Sequence, residues 1–420
     1  MKRTSFNLAV VGGGAAGMMA AALAAERGLR VAVFEKNEYT GKKLGITGKG
    51  RCNLTNCCEV RDCLEQIPRN GRFLYSAMNA FPPEAVMAWF EAQGVPLKVE
   101  RGNRVFPVSD KARDIVEALR GAMRRSGVRV YQERVSELRA ENGRIVSVVT
   151  DGGEYPCGAA ILATGGISYP LTGSTGDGYA FAKRLGHTII ALKPSLVPLV
   201  SVDDTCAEMQ GLSLRNVSLS VYDREGKKIY EDFGELLFTH FGISGPLTLS
   251  ASAHMRDFEH EKYSVKIDLK PALDEKKLDL RLLRDFDKYR NRAFENALGD
   301  LLNRKMIPVA VRLSGIAPDT QVNSITRDQR RRLLELLKAF PVEIAGPRPA
   351  EESIVTSGGI SVREIDPKTM ESKLVNGLYF AGEIIDVDGY TGGFNLQIAW
   401  ATARAAALAA AEAFESPEGK

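Results

Sequence analysis

The feature that most constrains the fold is a glycine-rich turn between two apolar runs near the start of the chain. The run Leu8–Val11 leads into the sequence GGGAAG at residues 12–17. An alanine-rich segment follows, and a second apolar run, Val31–Phe34, ends at Glu35. This order predicts a strand, a turn, a helix and a second strand, which is the βαβ unit of dinucleotide-binding folds.

The spacing of the glycines supports that interpretation. Gly12, Gly14 and Gly17 fill the glycine positions of G-x-G-x-x-G, where they allow a tight turn, close approach of a pyrophosphate, and packing of the helix on the strand. The helix N-terminus then offers free N–H groups to the phosphates. Glu35 follows at nearly the spacing, about 20 residues, of the acid that binds ribose hydroxyls. We therefore favour a dinucleotide site over an ordinary βαβ unit.

Charge and hydropathy exclude several other classes of protein. Lys2 and Arg3 precede an apolar run, as in an export signal, but the glycines interrupt that run. We find no uncharged apolar stretch of about 18 residues, so we expect no membrane span. The net charge of +4 is mild and makes a nucleic-acid partner unlikely. A small-molecule substrate is the expected partner.

The cysteines cluster without forming a metal-binding pattern. Four of the six, Cys52, Cys57, Cys58 and Cys63, lie within 12 residues. They contain no C-x-x-C pair, and no histidine is near, so neither a zinc site nor a disulfide reductase is favoured. We expect no metal and reduced thiols in a cytoplasmic protein.

The remainder of the chain indicates an α/β domain interrupted by an insertion. A loop rich in glycine and cations spans 41–56. Separate short strands are predicted at Glu154–Pro156 and Ala159–Ala163, buried strands end at Gly165 and at Gly382, and the glycine pair at 392–393 opens the last helix. Only the first glycine turn is a complete dinucleotide fingerprint, so we predict no separate nicotinamide domain. Short alternating strands begin after 193, and the helix-periodic part carries Arg330–Arg332, which we interpret as a solvated face. The predicted domains are 1–192 plus 355–420 (cofactor-binding), 193–271 plus 341–354 (strand-rich insert) and 272–340 (helical).

Several separated motifs resemble one family. They are GKKLGITGKGRCNLTN at 41–56, ATGGISYPLTGSTGDGY at 163–179, LLFTHFGISGP at 236–246, VTSGGI at 355–360 and GEIIDVDGYTGGFNLQIAWATARA at 382–405. Together with the opening fingerprint, they are similar to the HI0933-like flavoproteins of the BaiN and aminoacetone-oxidase type. The usual TGGGRCN of that family has Lys49 in place of its central glycine here. The resemblance implies a Rossmann-like FAD/NAD(P)-binding domain, an inserted β-barrel and an attached helical part.

The resemblance also implies which residues contact a non-covalent FAD. They are Gly12, Gly14, Ala16 and Gly17 at the pyrophosphate, Glu35 and Lys36 at the adenosine ribose, Val135 at the adenine through its backbone, Lys43, Gly48, Arg51, Cys52 and Asn53 in the loop towards the flavin, Ala163, Thr164 and Gly165 along the cofactor, Gly382 and Glu383 at the ribityl-phosphate part, and Gly393, Phe394, Asn395 and Leu396 at the pyrimidine edge of the flavin.

The expected activity is that of an FAD-dependent oxidoreductase. The leading interpretation is a reductase or dehydrogenase of an enone or steroid-like small molecule, with NADH or NADPH as electron donor. The alternatives are an oxygen-using amine oxidase and, from another class, an FAD-containing RNA-modifying or RNA-binding protein. His240 and Tyr390 are the candidates for proton transfer. The alternative roles are a hydrogen-bonded loop histidine and a tyrosine that only packs against the flavin.

Overall fold

The computed structural model describes residues 5–415, and its chain has an α/β fold in two compact units. The chain passes from the first unit to the second after Ser195 and returns after Glu352. The first unit is therefore discontinuous, and the second is the uninterrupted segment 196–352. These transitions lie within three residues of the changes in sequence character at 193 and 355.

The strands and helices are numbered separately in chain order. The strands are β1 Phe6–Val11, β2 Val31–Phe34, β3 Thr55–Asn56, β4 Leu97–Glu100, β5 Arg104–Pro107, β6 Arg129–Tyr131, β7 Val135–Glu141, β8 Arg144–Thr150, β9 Gly153–Leu162, β10 Ile189–Ser195, β11 Leu199–Ser201, β12 Ser213–Tyr222, β13 Lys228–Thr239, β14 Gly242–Ser244, β15 Tyr263–Asp268, β16 Phe340–Pro347, β17 Val355–Ile360 and β18 Leu378–Phe380. The helices are α1 Ala15–Glu26, α2 Lys42–Ile46, α3 Val60–Glu65, α4 Tyr75–Ala80, α5 Pro83–Ala92, α6 Ala112–Arg125, α7 Asp177–Arg184, α8 Thr205–Glu208, α9 Pro246–Ser252, α10 Glu275–Lys288, α11 Ile307–Ser314, α12 Arg327–Lys338 and α13 Phe394–Glu415.

A parallel sheet forms the centre of the first unit. Its strand order is β6-β2-β1-β9, and β18 adds to β9 in the same direction. Val10 pairs with Val33 on one side and with Ile161 on the other, and all three side chains are buried. Such continuous apolar strands are typical of a sheet covered on both faces. Their carboxyl ends share one edge, where ligands of this fold class bind.

One sequence prediction about the strands was wrong. The sequence indicated separate strands at Glu154–Pro156 and Ala159–Ala163, whereas β9 is one continuous strand. Its first half pairs antiparallel with β8, and its second half pairs parallel with β1 and β18. Pro156 and Gly158 lie where the two predicted strands meet, but the strand changes partners at this point and does not end.

Two alanine-rich helices cover the sheet and contact each other. Seven of the 12 residues of α1 are alanine, and α13 runs for 22 residues with most of its alanines buried. Small side chains permit this close approach. No helix within residues 5–415 is both long and apolar enough to cross a membrane.

The second unit contains a closed barrel with the strand order β11-β14-β13-β12-β15-β16. Helices α10, α11 and α12 follow β15 in the chain, and their apolar side chains share one core with the barrel strands. Leu278 of α10 and Leu333 of α12 are buried in the same cluster as Val265 of β15.

Candidate cofactor site

The glycine turn joins β1 to α1 at the carboxyl edge of the sheet. Gly12 has φ +103°, and a Cβ there would lie 2.6 Å from the carbonyl oxygen of Ala163. A Cβ on Gly17 would lie 1.8 Å from the carbonyl oxygen of Gly12. Around Gly14, in contrast, no atom lies within 4 Å of such a Cβ. The turn is thus closely packed against other backbone atoms at Gly12 and Gly17 and open at Gly14, as pyrophosphate binding requires.

Glu35 directly follows β2, and its side chain points back to this turn. Its carboxylate accepts the N–H of Gly13 at 2.8 Å and the N–H of Asn37 at 2.9 Å. Lys36, the next residue, forms an ion pair with Asp177 at 2.9 Å. The structure therefore brings Glu35 to the fingerprint, whereas the Lys36 ammonium is bound to the first turn of α7.

The segment that follows β6 leaves the sheet beside Glu35. The backbone N–H of Glu35 donates to the carbonyl oxygen of Tyr131 at 2.9 Å. Val135, four residues further, begins β7 with its side chain buried. Its backbone contact with an adenine stays a prediction from the family resemblance.

Lys43 and Glu383 form an ion pair within the first unit. Lys43 Nζ lies 2.6 Å from one carboxylate oxygen of Glu383 and donates to Ser168 Oγ at 2.7 Å. Glu383 also accepts the backbone N–H of Thr356 at 2.8 Å and the hydroxyl of Ser168 at 2.9 Å. Burial alone would raise the pKa of Glu383, but the Lys43 ammonium and these hydrogen bonds bring it below its usual value. The Glu383 carboxylate is thus held charged just after β18, beside the side chain of Lys43.

The loop at residues 47–53 has a left-handed backbone at several consecutive positions. Gly48, Lys49 and Gly50 have φ of +56°, +58° and +82°, and Cys52 has φ +59°. Lys49 therefore adopts the conformation that the usual glycine would favour, at a cost of about 1 kcal/mol. Burial raises the pKa of the Cys52 thiol to about 12, so this thiol is neutral and packed.

Arg51 is engaged by carboxylates. Its guanidinium donates to Glu100 at 2.5 Å and to Asp110 at 2.9 Å, and it lies 4.2 Å from the centre of the Phe106 ring. These contacts fix the loop against β4 and β5. The predicted contact of Arg51 with the flavin has no counterpart among these observed interactions and stays a prediction.

The start of α13 is fixed by the strand β3. Gly393 has φ +102°, and a Cβ there would lie 2.4 Å from the backbone of Thr55. Asn395 donates its amide to the carbonyl oxygen of Gly389 at 2.7 Å and accepts the N–H of Gly389 at 2.9 Å. Its side chain thus shapes the turn before the helix. The N–H groups of the first helical turn, including those of Phe394 and Leu396, have no acceptors within the helix.

Two buried oxygen atoms support the presence of a ligand. Asn53 Oδ1 and Thr164 Oγ1 are buried, and neither has a hydrogen-bond partner among residues 5–415. Such atoms are rare in folded proteins unless water or a ligand satisfies them. Both residues belong to segments that the sequence assigned to FAD. With the open space at Gly14, they show that the described residues fit a bound FAD.

The two candidates for proton transfer lie in different units. Tyr390 is partly exposed, and its backbone N–H donates to the carbonyl oxygen of Gln66 at 2.9 Å, just before α13. His240 is exposed in the turn between β13 and β14, with its ring 5.1 Å from that of Phe241. Their catalytic roles stay predictions.

Sequence reasoning missed several polar residues that shape the site. Thr356 Oγ1 accepts the backbone N–H of Ile167 at 2.8 Å and thereby fixes the strand-end turn at Gly165–Gly166. Ser168, as described above, bonds to both members of the ion pair. Both residues lie inside the quoted motifs ATGGISYPLTGSTGDGY and VTSGGI, which could have directed attention to them.

A parallel sheet with a glycine turn, a second strand-end glycine turn and a helix that begins at the same edge defines a dinucleotide-dependent oxidoreductase of the FAD-binding type. The family described as "HI0933-like protein Rossmann domain" matches residues 6–409. The chain belongs to this family, and it is an FAD-dependent oxidoreductase.

Individual proteins of known name are similar over nearly the whole chain. The 3-dehydro-bile acid delta(4,6)-reductase of Clostridium scindens is 32% identical over 410 residues, which cover 96% of this chain and 99% of that protein. A ribosomal RNA dihydrouridine synthase of Haemophilus influenzae is 31% identical over 414 residues, covering 97% and 99%. The structure of a 3-ketosteroid delta1-dehydrogenase from Sterolibacterium denitrificans aligns with a TM-score of 0.52 at 13% identity, covering 98% of this chain and all of that one. The last comparison shows the shared fold alone.

Proposed function

We propose that the protein reduces a carbon–carbon double bond conjugated to a carbonyl group in a steroid-like small molecule, with NADH or NADPH as electron donor. The observation that carries the proposal is the 32% identity, over 96% of the chain, to a reductase of 3-dehydro-bile acids. The name of that enzyme places its double bonds next to a ketone. The open glycine turn and the ion pair at Glu383 supply a cofactor site suited to this chemistry.

The residues of this chain would bind and orient the cofactor. FAD, when bound, supplies hydride transfer. Gly14 would let the backbone meet the pyrophosphate, and the Lys43–Glu383 pair would hold hydroxyl and phosphate groups beyond it. The first N–H groups of α13 would face the electron-rich edge of the ring, where the positive end of a helix stabilises negative charge.

Reduction of a conjugated double bond also needs a proton beside the carbonyl carbon. Tyr390 is partly exposed at the start of α13, and we propose it as the donor, with His240 as the second candidate. Tyr390→Phe and His240→Ala are expected to lower turnover while FAD content stays unchanged. Tyr75→Phe and His260→Ala, at exposed positions, serve as matched controls. Unchanged turnover in either test variant removes that residue from the proposal.

The electron donor and the acceptor can be tested on the purified FAD-loaded protein. Anaerobic addition of NADH or NADPH is expected to bleach the flavin absorbance near neutral pH. A 3-oxosteroid with a conjugated double bond should then restore the absorbance, with the saturated ketone as product. Reoxidation by oxygen alone, after reduction by a primary amine, would instead favour the amine-oxidase alternative.

A uridine in ribosomal RNA is the second candidate substrate. The similarity to a ribosomal RNA dihydrouridine synthase favours it, and dihydrouridine is uridine saturated at a double bond conjugated to a carbonyl. Residues 272–340 contain 15 lysines and arginines against 10 aspartates and glutamates. However, Arg330 pairs with Asp279 and Arg331 with Glu335, so part of this charge is neutralised.

RNA binding separates the two substrates. Under the leading proposal, ribosomal RNA transcripts should not bind at low salt, and their mass should not change on incubation with enzyme and NADPH. Binding that weakens steeply as salt rises, together with the gain of two hydrogens at a uridine, would establish the second candidate instead.

A further inference from the structure

Two cysteines at the start of α3 contact each other. Glu59 immediately precedes the helix, and the N–H of Cys63 donates to its carbonyl oxygen at 2.9 Å. Cys58 therefore precedes the N-cap, and Cys63 is the fourth helical residue. Side chains at these two positions commonly pack together in helices that begin in this way. Here both side chains are thiols: Cys63 belongs to the buried cluster of the first unit, and Cys58 packs against that cluster.

The two thiols differ in accessibility and acidity. Cys63 is fully buried, whereas Cys58 is partly exposed. The hydrogen bond between them lowers the pKa of Cys58, and the same bond together with burial raises the pKa of Cys63. A small thiol reagent would therefore reach Cys58 first, and a second thiol already lies beside it.

We propose that Cys58 and Cys63 form a reversible dithiol–disulfide couple, with a small-molecule disulfide as oxidant. The Cys58 thiolate attacks the disulfide and expels one thiolate, which leaves a mixed disulfide on Cys58. Cys63 loses its proton to solvent and attacks the Cys58 sulfur, which expels the second thiolate. Two electrons pass from the cysteine pair to the small disulfide, which becomes two thiols.

Residues that follow the cysteine pair in the chain contact the segment that precedes α13. Gln66, the residue after α3, accepts the backbone N–H of Tyr390 through its carbonyl oxygen. Arg69, three residues later, forms an ion pair with the buried Asp386. The proposed disulfide is thus a modification site close in the chain to residues that hold the start of α13. Its formation does not depend on which substrate the enzyme reduces.

The disulfide can be detected by mass spectrometry. The FAD-loaded protein is equilibrated anaerobically with mixtures of reduced and oxidised glutathione, quenched with N-ethylmaleimide in denaturing urea so that buried thiols also react, and digested with trypsin. Cleavage after Arg61 separates Cys58, in peptide 52–61, from Cys63, in peptide 62–69. We expect these peptides to appear as one cross-linked species in oxidised glutathione, with Cys52 and Cys57 alkylated, and to separate again after dithiothreitol treatment.

Cys57 provides a matched control because it is exposed and adjacent to Cys58. Cys57→Ser should retain the cross-linked species, and Cys58→Ser should abolish it. Two fully alkylated peptides at every glutathione ratio in the wild-type protein would overturn the proposal. So would a cross-link that maps to Cys57 or that persists in Cys58→Ser.

Discussion

At the scale of single residues, the fingerprint glycines have separable roles. A Cβ at Gly17 meets the backbone of Gly12, whereas a Cβ at Gly14 meets no protein atom within 4 Å. Gly14 also has an extended backbone, with φ −80° and ψ −166°, that other residues adopt easily. The fold therefore requires a glycine at position 17, whereas at position 14 the requirement is expected to come from the predicted pyrophosphate contact.

We predict that Gly14→Val abolishes FAD uptake and leaves the fold intact, because the new side chain fills the space needed by the pyrophosphate. Flavin absorbance after reconstitution measures uptake, and the far-ultraviolet circular dichroism of the apoprotein reports the fold. Gly299→Ala, at an exposed and equally open position, is the control. Normal FAD occupancy in Gly14→Val would place the pyrophosphate elsewhere.

The Lys43–Glu383 pair predicts a specific response to acid. The pKa of Glu383 is lowered by folding, so its contribution to stability is complete above its unfolded value of about 4.5 and disappears as the pH falls through its lower folded value. Lys43→Met leaves the largely buried carboxylate of Glu383 without its ammonium partner. We expect a loss of roughly 1.5–3 kcal/mol in the free energy of unfolding at neutral pH and acid unfolding at a higher pH.

Lys42→Met is the matched control, because Lys42 is the neighbouring, partly exposed lysine of the same helix. Urea unfolding at pH 7 and an acid titration followed by tryptophan fluorescence measure both effects. Equal behaviour of the two variants would contradict the stabilising role of the pair.

At the scale of elements, the sequence predicted the strands and helices that a local residue pattern determines. It located β1, α1 and β2, the strand that precedes Gly382 and the helix that begins after Gly393, because periodicity and glycine turns are local signals. It did not predict the Lys43–Glu383 contact, whose partners are 340 residues apart. It also divided β9 in two, since an exchange of strand partners leaves no trace in side-chain alternation.

Helix α13 shows how a buried amide joins distant elements. Gln397 is fully buried, donates to the carbonyl oxygen of Phe81 at 2.7 Å and contacts Thr55 Oγ1 at 2.7 Å. We predict that Gln397→Leu destabilises the protein by about 1–3 kcal/mol, because a buried carbonyl loses its donor. Urea unfolding measures the loss. Ala413→Gln, exposed on the same helix, should change stability by less than about 0.5 kcal/mol.

At the scale of the whole molecule, the second unit interrupts the first at two paired strands. Ser195 of β10 and Val355 of β17 are direct partners in an antiparallel ladder. The sequence indicated this insertion through the change of pattern near 193 and the return near 355. It could not show that the barrel closes, because closure depends on the pairing of β11 with β16 across more than 100 residues.

We predict that the first unit binds FAD without the second. Replacing residues 196–352 with Asn-Gly leaves a short hairpin loop between β10 and β17, which suits antiparallel neighbours. The shortened chain should take up FAD and show a flavin spectrum while losing catalytic turnover. As a control, the protein that combines the same deletion with Gly14→Val is expected to take up no FAD and to remain colourless. A deletion variant that folds but takes up no FAD would contradict the prediction.

The discontinuity of the first unit also sets an order of events during synthesis. β18 and α13 are made after the second unit, yet β18 pairs with β9 and α13 packs on α1, both of which precede that unit in the chain. The second unit, an uninterrupted segment, can fold while these elements are still untranslated. The segments of the predicted FAD site that β18 and α13 supply are therefore synthesised after the whole second unit, and the central sheet is completed only once these segments have left the ribosome.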